Sequence, residues 1–304
     1  MKLLVTGAAQ LNEVQLKTLS EMGNEVFFMQ LEKDEVPLPY EEIEGVICNG
    51  LFLFHEIEDF KNLKYIQITS AGYDRVPMEY VAEKGIKIYN AKGVYSIPMA
   101  EFAIGSVLKI YKDMDFFYEN QKNGTWEKSK NIRELWNKNV CIVGCGSIGT
   151  ECAKRFSAFG CNVFGIDSFL KKEEHFSKIY SPDEIEKIIP NADIVILTLP
   201  LTAETYHFVG EKELSAMQEN AILVNLARGA IIDTAALLNE LEKERIFAVL
   251  DVFEEEPLQK DSLFWKLKNV IITPHNSFAG EKNAERLWDV IKTNFEHWKY
   301  IQQN

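Results

Sequence analysis

The sequence predicts an α/β protein made of two doubly wound parallel-sheet domains. Short β-branched and aromatic runs alternate with helical patterns from one end of the chain to the other, the mark of parallel strands covered by helices. The alternating series occurs twice, with a long helical stretch between. The chain has 304 residues, and at about 100–200 residues per domain that length favours two domains.

In the first series the candidate strands are Lys2–Thr6, Glu25–Gln30, Gly45–Cys48, Tyr65–Thr69 and Lys87–Tyr89. Between the first two lies LNEVQLKTLSEMG, whose Leu11, Val14, Leu19 and Met22 recur at roughly helical spacing and which stops at Gly23. A long helix is expected from about Pro98, a residue suited to a first turn, through AEFAIGSVLKIYKDMDFFYENQK to the break at NGTW. Its apolar content exceeds that of a lone surface helix. It reads as a domain connector that also meets a partner subunit, or as an ordinary buried helix. The second series follows: NVCIVG, CNVFGID, ADIVILTL, AILVNLA, IFAVLDV and NVIITP, then a closing helix from Glu281 to Tyr300. No Pro/Gly/Ser-rich linker separates the halves, so the chain crosses between them on helices. No repeat or low-complexity segment is present.

Composition narrows the function. Hydrophobic residues make up 46% and charged residues 26%, as in ordinary globular proteins. The formal net charge of −13 is the wrong sign for duplex nucleic acid or an anionic membrane surface, both of which attract basic clusters. The opening MKLLVTGAAQ reads as a strand and not as a signal peptide, and no apolar run is long enough to span a bilayer. Five cysteines without a CxxC pair fit a reducing compartment. The expectation is a cytoplasmic, acidic protein with no metal centre.

The segment from Val140 to Asp167, VCIVGCGSIGTECAKRFSAFGCNVFGID, carries a GxGxxG motif in the context its mechanism demands. A strand precedes it, a helix and second strand follow, and an acidic residue lies some twenty positions on. Gly144 permits the tight turn, Gly146 lets backbone approach a pyrophosphate, and Gly149 allows helix and strand to pack closely. The pyrophosphate would rest on the free amides at the helix start near Ser147. Asp167 can accept hydrogen bonds from the adenosine ribose and would repel a 2′-phosphate, which favours NAD over NADP. Lys171 and Lys172 stand nearby and temper that preference. The competing reading is a structural βαβ turn without a ligand.

In an open parallel sheet, ligands bind outside the carboxyl ends of the strands. Past three successive strand ends stand Arg228, the run Glu254-Glu255-Glu256-Pro257, and His275. Together they suit reversible hydride transfer to a 2-oxo acid. Arginine grips the carboxylate and polarises the carbonyl, histidine exchanges the proton, and a carboxylate orients the imidazole. Taken singly, each has an ordinary explanation as a surface or structural residue. His55, His175, His207 and His297 lack such placement and read as structural or exposed.

On the segments VGCGSIG…GID, LPLTAETYHFV, MQENAILVNLARGAIID, LDVFEEEPL and TPHNS, the chain resembles the D-isomer-specific 2-hydroxyacid dehydrogenases over nearly its whole length. The resemblance implies that Arg228, Glu256 and His275 are the catalytic arginine, glutamate and histidine. It implies that Asp251 meets the nicotinamide carboxamide. Leu199, Pro200 and Thr205 would form a loop along the cofactor, with Ile148, Ala227 and Ser277 as further cofactor contacts. It assigns TSAGYDRVP, at Ser70, Ala71, Gly72 and Asp74, to a carboxylate-binding loop, where small residues leave backbone N–H groups free for an anion. It also implies a Rossmann NAD-binding domain (99–276) inserted into a flavodoxin-like substrate domain (1–98 and 277–304), and a homodimer.

The first domain conforms less well. In CNGLFLFHEIEDF, Leu51, Phe52 and Phe54 stand where phosphoglycerate dehydrogenases of the family carry cationic groups. This points to a small or apolar 2-oxo acid, unless these side chains are simply core. No regulatory domain is expected after the closing helix. NAKGVYSIPMAEF keeps the expected Ala100-Glu101, while Tyr95 is bulky for a position near the domain cleft. Cys145, inside the glycine loop, reads as a small residue in a tight turn, with oxidative control as the lesser alternative. The expected activity is hydride transfer between NAD(H) and a small 2-oxo or D-2-hydroxy acid. The alternative, from another class, is a non-catalytic NAD(H)-sensing regulatory or scaffold protein on the same fold.

Overall fold

In the computed structural model, which describes residues 1–170 and 173–303, the strands and helices alternate as the sequence predicts. Lys171 and Lys172 lie outside the described residues. In chain order the elements are β1 (Lys2–Thr6), α1 (Glu13–Glu21), β2 (Glu25–Met29), β3 (Gly45–Cys48), β4 (Tyr65–Ile68), α2 (Met78–Lys84), β5 (Lys87–Tyr89), α3 (Ser96–Tyr111) and α4 (Met114–Lys122). There follow β6 (Asn139–Val143), α5 (Ser147–Ala158), β7 (Asn162–Ile166), β8 (Lys178–Tyr180), α6 (Ile185–Ile188), β9 (Ile194–Leu197), α7 (Glu211–Ala216) and β10 (Ile222–Asn225). The last are α8 (Thr234–Glu242), β11 (Phe247–Leu250), β12 (Val270–Ile272) and α9 (Asn283–Gln303). The chain forms two units, one from Met1–Tyr95 with Gly280–Asn304 and one from Ser96–Ala279.

The first unit holds a parallel sheet in the order β2-β1-β3-β4-β5, a flavodoxin-like arrangement. Successive side chains of a strand point to opposite faces, and β1 shows this directly. Leu4 joins one buried cluster with Val46, Ile66 and Phe60, while Leu3 and Val5 join another with Ile47 and Tyr65. The second cluster is covered by Leu287, Ile291, Phe295 and Trp298, a single stripe of α9. A capping box starts α1: Gln15 N–H donates to the Asn12 side chain (3.0 Å) and Asn12 N–H to the Gln15 side chain (2.9 Å). The core-facing stripe is Leu19 of α1, buried, with Leu16 and the flanking Leu11 and Met22 partly buried against the same cluster. Val14, expected on that stripe, is 74% exposed.

The second unit holds a parallel sheet in the order β12-β11-β10-β9-β6-β7-β8, doubly wound, with its switch point between β6 and β9. Cys141, Val143, Val195, Leu197, Leu223 and Leu250 fill one face, and α3 packs on α5. Two expectations need correction. The edge strand β8 is not among the strands expected from the sequence, although it repeats the Lys-Ile-Tyr tripeptide of β5. The helix after Pro98 is broken into α3 and α4. At the break Asp113 takes a left-handed conformation (φ 52°) and its carboxylate accepts a hydrogen bond from the Ser129 hydroxyl, a conformation Asp tolerates better than most residues.

Candidate active site

The carboxyl edge of the seven-stranded sheet carries the sequence-predicted residues in spatial order. His275 follows β12, Asp251 and Glu256 follow β11, Arg228 follows β10, Leu199 follows β9, the glycine loop follows β6, and Asp167 follows β7. One rim of one sheet therefore holds a nucleotide-type turn at one end and an Arg, Glu and His set at the other.

Gly144 has φ 95°, and a Cβ there would fall 2.7 Å from the Leu199 nitrogen. Only glycine lets the turn after β6 lie against the chain leaving β9. A Cβ on Gly149 would fall 2.1 Å from the Gly144 carbonyl oxygen, so this glycine seats α5 against the loop. Gly146 differs: a Cβ there would meet nothing within 4 Å. It caps α5 in an extended conformation, and no side chain caps the helix, so the N–H groups of Ser147 and Ile148 are left without a side-chain acceptor. Asp167 reaches back to the same loop. Cys145 N–H donates to its Oδ2 (2.7 Å) and Phe169 N–H to its Oδ1 (2.9 Å), leaving lone pairs for ribose hydroxyls. Open space at Gly146, uncapped amides and a carboxylate at the next strand end fit a dinucleotide. Cys145 itself is buried, and its Sγ sits where a Cβ on Gly165 would collide at 2.2 Å. That is the packing of a structural residue.

Leu199 is buried, as are Ala227 and Ser277. Thr205 closes its own loop, donating to the Pro200 carbonyl (2.6 Å) and accepting from Thr202 N–H (2.7 Å). The turn that carries Arg228 is built by Asn225, a residue the sequence reading passed over. Its side chain accepts from Ala227 N–H (3.0 Å) and donates to the Arg228 carbonyl (3.0 Å). Such local Asx bonding is what an Asn three residues before the arginine offers. The Arg228 guanidinium donates to the Ala227 carbonyl (2.8 Å).

His275 and Glu256 are joined. His275 Nδ1–H donates to Glu256 Oε2 (2.9 Å), while Glu256 Oε1 accepts from Phe253 N–H (3.0 Å). With Nδ1 committed to the carboxylate, Nε2 is the ring nitrogen left to exchange a proton. His275 has φ 50°, and its N–H is held by the Asp251 carbonyl (2.8 Å). The Asp251 side chain completes the loop, with Oδ1 accepting from the Thr273 hydroxyl (2.6 Å) and Asn276 N–H (2.8 Å) and Oδ2 from Ser277 N–H (3.0 Å). Buried, Asp251 is the tether of the loop that presents His275. Glu254 points elsewhere, accepting from the Thr234 N–H (3.1 Å) and hydroxyl (2.6 Å). Among the described residues, no group of three His, Cys, Asp or Glu side chains is arranged to hold a metal ion.

In the first unit, the Ser70–Gly72 loop follows β4. Its carbonyls are all engaged: Ser70 O by Ala91 N–H (2.9 Å), Ala71 O by the Asn90 side chain (2.6 Å) and Gly72 O by the Ser70 hydroxyl (2.9 Å). Its own N–H groups find no acceptor among the described residues. A loop that spends its acceptors and keeps its donors suits an anion. Tyr95 donates its hydroxyl to the Thr69 carbonyl at the foot of that loop. Two of the three apolar residues expected to line a pocket are core instead. Leu51 is fully buried, and Phe52 packs edge-on against Phe60. Phe54 and its neighbour Leu53 are the exposed pair. In the second unit Ala100 is buried and Glu101 pairs with Arg155 (3.2 Å).

Comparison with known proteins identifies the family. Residues 104–277 match the family model described as D-isomer specific 2-hydroxyacid dehydrogenase, NAD binding domain. The chain is 36% identical over 297 residues to D-3-phosphoglycerate dehydrogenase of Methanocaldococcus jannaschii, covering 96% of this chain and 56% of that one. It therefore spans little more than half of that relative's length. It is 35% identical over 250 residues to glyoxylate reductase of Thermococcus litoralis, covering 78% of this chain and 74% of that one. A solved D-isomer specific 2-hydroxyacid dehydrogenase family protein from Aeromonas salmonicida superposes with a TM-score of 0.82 at 25% identity, covering 97% of this chain and 94% of that one. The chain belongs to the D-isomer specific 2-hydroxyacid dehydrogenase family, and its second unit carries that family's NAD-binding domain.

Proposed function

We propose that the protein reduces a small 2-oxo acid to the D-2-hydroxy acid at the expense of NADH, and catalyses the reverse oxidation, through Arg228, Glu256 and His275. The observation that carries this reading is the His275 Nδ1 to Glu256 Oε2 hydrogen bond of 2.9 Å, two strand ends from Arg228. Bound NADH supplies the hydride that reaches the oxo carbon. Arg228 binds the substrate carboxylate and polarises the adjacent C=O with its planar, permanently charged fork. His275 delivers the proton from Nε2 to the oxygen, so 2-oxo acid, NADH and one proton become 2-hydroxy acid and NAD. Glu256 orients the ring and stabilises the imidazolium before the proton leaves. The amides of Ser70, Ala71 and Gly72 are assigned to the substrate carboxylate, and those of Ser147 and Ile148 to the pyrophosphate.

NAD is preferred to NADP because Asp167 would lie against a 2′-phosphate. We further propose a homodimer, since α4 leaves Met114 and Tyr118 exposed and Trp126 beyond it is fully exposed. A reducing, cytoplasmic setting suits five cysteines that are all free and buried. The test is to follow the loss of NADH absorbance by the purified protein against 2-oxo acids of graded size and charge, with His275→Ala as control. Turnover that the variant lacks is expected. No oxidation with any acid, or a variant as active as wild type, would overturn the proposal.

A further inference from the structure

We propose that Glu32 is a specificity-determining residue. Its carboxylate fills the anion-binding position at the switch point of the five-stranded sheet, so 2-oxo acids with a second negative charge are excluded. The inference rests on the reading of the protein as a 2-oxo acid reductase.

In a sheet of order β2-β1-β3-β4-β5, a ligand is expected where the strand order reverses, at the carboxyl ends of β1 and β3. Here that place is taken by the chain itself. Glu32, just past β2, reaches across both strand ends. Its Oε1 accepts from the Thr6 hydroxyl at the end of β1 (2.8 Å) and from Asn49 N–H beyond β3 (2.6 Å), and its Oε2 accepts from Gly50 N–H (2.7 Å). Two consecutive backbone N–H groups converging on one anion form the kind of nest that elsewhere holds a phosphate. The residue is held from its backbone as well. His55 Nε2–H donates to the Glu32 carbonyl (2.8 Å), and the Tyr40 hydroxyl is hydrogen-bonded to His55 Nδ1 (2.9 Å). A carbonyl can only accept, so Nε2 carries the proton of that bond.

This position bears on the substrate because β3 and β4 are neighbours. Cys48 pairs with Ile68, and Thr69 N–H donates to the Cys48 carbonyl (2.8 Å), so the Ser70–Gly72 loop and the Asn49–Gly50 turn leave adjacent strands. Paired strands lie about 4.8 Å apart. An acid whose carboxylate rests on Ser70–Gly72 therefore extends its tail over the Asn49–Phe54 turn. There it meets Leu53 and Phe54, which are exposed, and the carboxylate of Glu32. An uncharged tail is accommodated. A phosphate or a second carboxylate finds both amides occupied and a like charge beside it, a repulsive device for specificity. Arg75 approaches the same turn, its Cδ 3.6 Å from where a Cβ on Gly50 would lie, but it forms no ion pair among the described residues. Removal of the Glu32 side chain would leave two free amides next to this cation.

The test compares matched substrates with the full chain and NADH: 2-oxobutanoate against oxaloacetate, and hydroxypyruvate against its phosphate ester. Wild type is expected to favour the uncharged-tail partner by at least about tenfold in kcat/KM. Glu32→Ala is expected to narrow the gap through KM of the charged partner. Inorganic phosphate is expected to raise the Tm of Glu32→Ala and leave wild type unmoved. Equal kcat/KM within each pair for wild type, or equal stabilisation of both proteins by phosphate, would overturn the proposal. If no 2-oxo acid is reduced, the reductase reading falls. The phosphate comparison then decides whether Glu32 occupies the amides, a shift confined to the variant supporting it. If Glu32→Ala does not fold, the wild-type pairs decide alone.

Discussion

Gly229 lies so close to Phe253 that a Cβ on the glycine would fall 1.8 Å from the Phe253 carbonyl carbon and 2.2 Å from the Glu254 nitrogen. The turn after β10, which carries Arg228, is thus seated directly on the backbone leaving β11, which carries Glu256. Nothing in the glycine's own conformation demands this residue, because its φ is not left-handed. The requirement is one of contact, and it sets the spacing between the arginine and the carboxylate.

Gly229→Ala is therefore expected to push the two turns apart. Neither neighbouring atom belongs to a flexible side chain, so overpacking should cost about 1–3 kcal/mol of stability. The loss of kcat/KM should exceed what that destabilisation explains, since small displacements of positioned groups cost much in rate. Thermal unfolding and steady-state kinetics of the variant check both. A folded variant with wild-type kcat/KM would show that the spacing is not needed.

The His275–Glu256 pair makes a graded set of losses. His275→Ala removes the proton carrier and is expected to lower kcat by about 10²–10⁴-fold. NADH binding, read by fluorescence titration, should persist because the glycine loop is untouched. Glu256→Gln keeps an oxygen for Phe253 N–H but not the charge that favours the imidazolium, so a smaller fall in kcat with little change in KM is expected. If Glu256→Gln matched wild type, Glu256 would be no more than a loop brace.

The parts of the site legible in the sequence are those carried by neighbours in the chain. The glycine loop is one local run ending in Asp167, and Arg228, Glu256 and His275 each follow a strand whose apolar run announces its end. What escaped depends on groups distant in sequence. Asp251 ties down Asn276 and Ser277 from another strand end, and Glu32 reaches Asn49 and Gly50 across an intervening strand. No spacing rule links such pairs. Leu51 and Phe52 show the converse. Their apolar character was plain, but the short helical turn at Leu51–Leu53 sends them inward and leaves Leu53 and Phe54 outside. Val14 stands five residues before Leu19, about 140° round a helix of 3.6 residues per turn, so Leu16 and not Val14 shares the face of Leu19.

Asp251→Asn tests the tether. An amide can accept from Thr273 and Asn276 as before, but its NH2 group then faces Ser277 N–H, donor against donor. Leaving these buried groups unsatisfied should cost about 1–3 kcal/mol. It should also lower kcat, because the loop that holds His275 at φ 50° loses an anchor. Faster hydrogen exchange confined to residues 273–277 would mark the loop as the part released. Unchanged exchange there would remove Asp251 from the account of how His275 is held.

Replacement of Asp167 should change cofactor choice. Its carboxylate closes the glycine loop through Cys145 N–H and stands where a 2′-phosphate would approach. Asp167→Ser, which keeps a small acceptor near that amide without the charge, is expected to raise the NADPH to NADH ratio of kcat/KM by at least about tenfold. A ratio unmoved by the substitution would place cofactor discrimination elsewhere.

Acid stability should depend on Glu240, at the end of α8. Burial alone would raise its pKa, but hydrogen bonds from Lys243 (2.9 Å) and Arg245 Nε (2.6 Å), with the charge of both, hold it below the ordinary carboxylate value. Arg245 in turn donates to the carbonyls of Met217 and Leu214, so the pair binds α8 to the end of α7. A carboxylate whose pKa is lower folded than unfolded binds fewer protons in the folded state. Its stabilisation is therefore complete above the unfolded value and is lost as pH falls through the lowered folded value. Glu240→Ala leaves Arg245 with its guanidinium largely buried and no counter-charge, and is expected to cost about 3 kcal/mol at neutral pH. Urea midpoints of wild type and variant should converge as the medium is made acid, because wild type alone has this contribution to lose. A constant difference between the two down to acid pH would mean that Glu240 stabilises the fold without its charge.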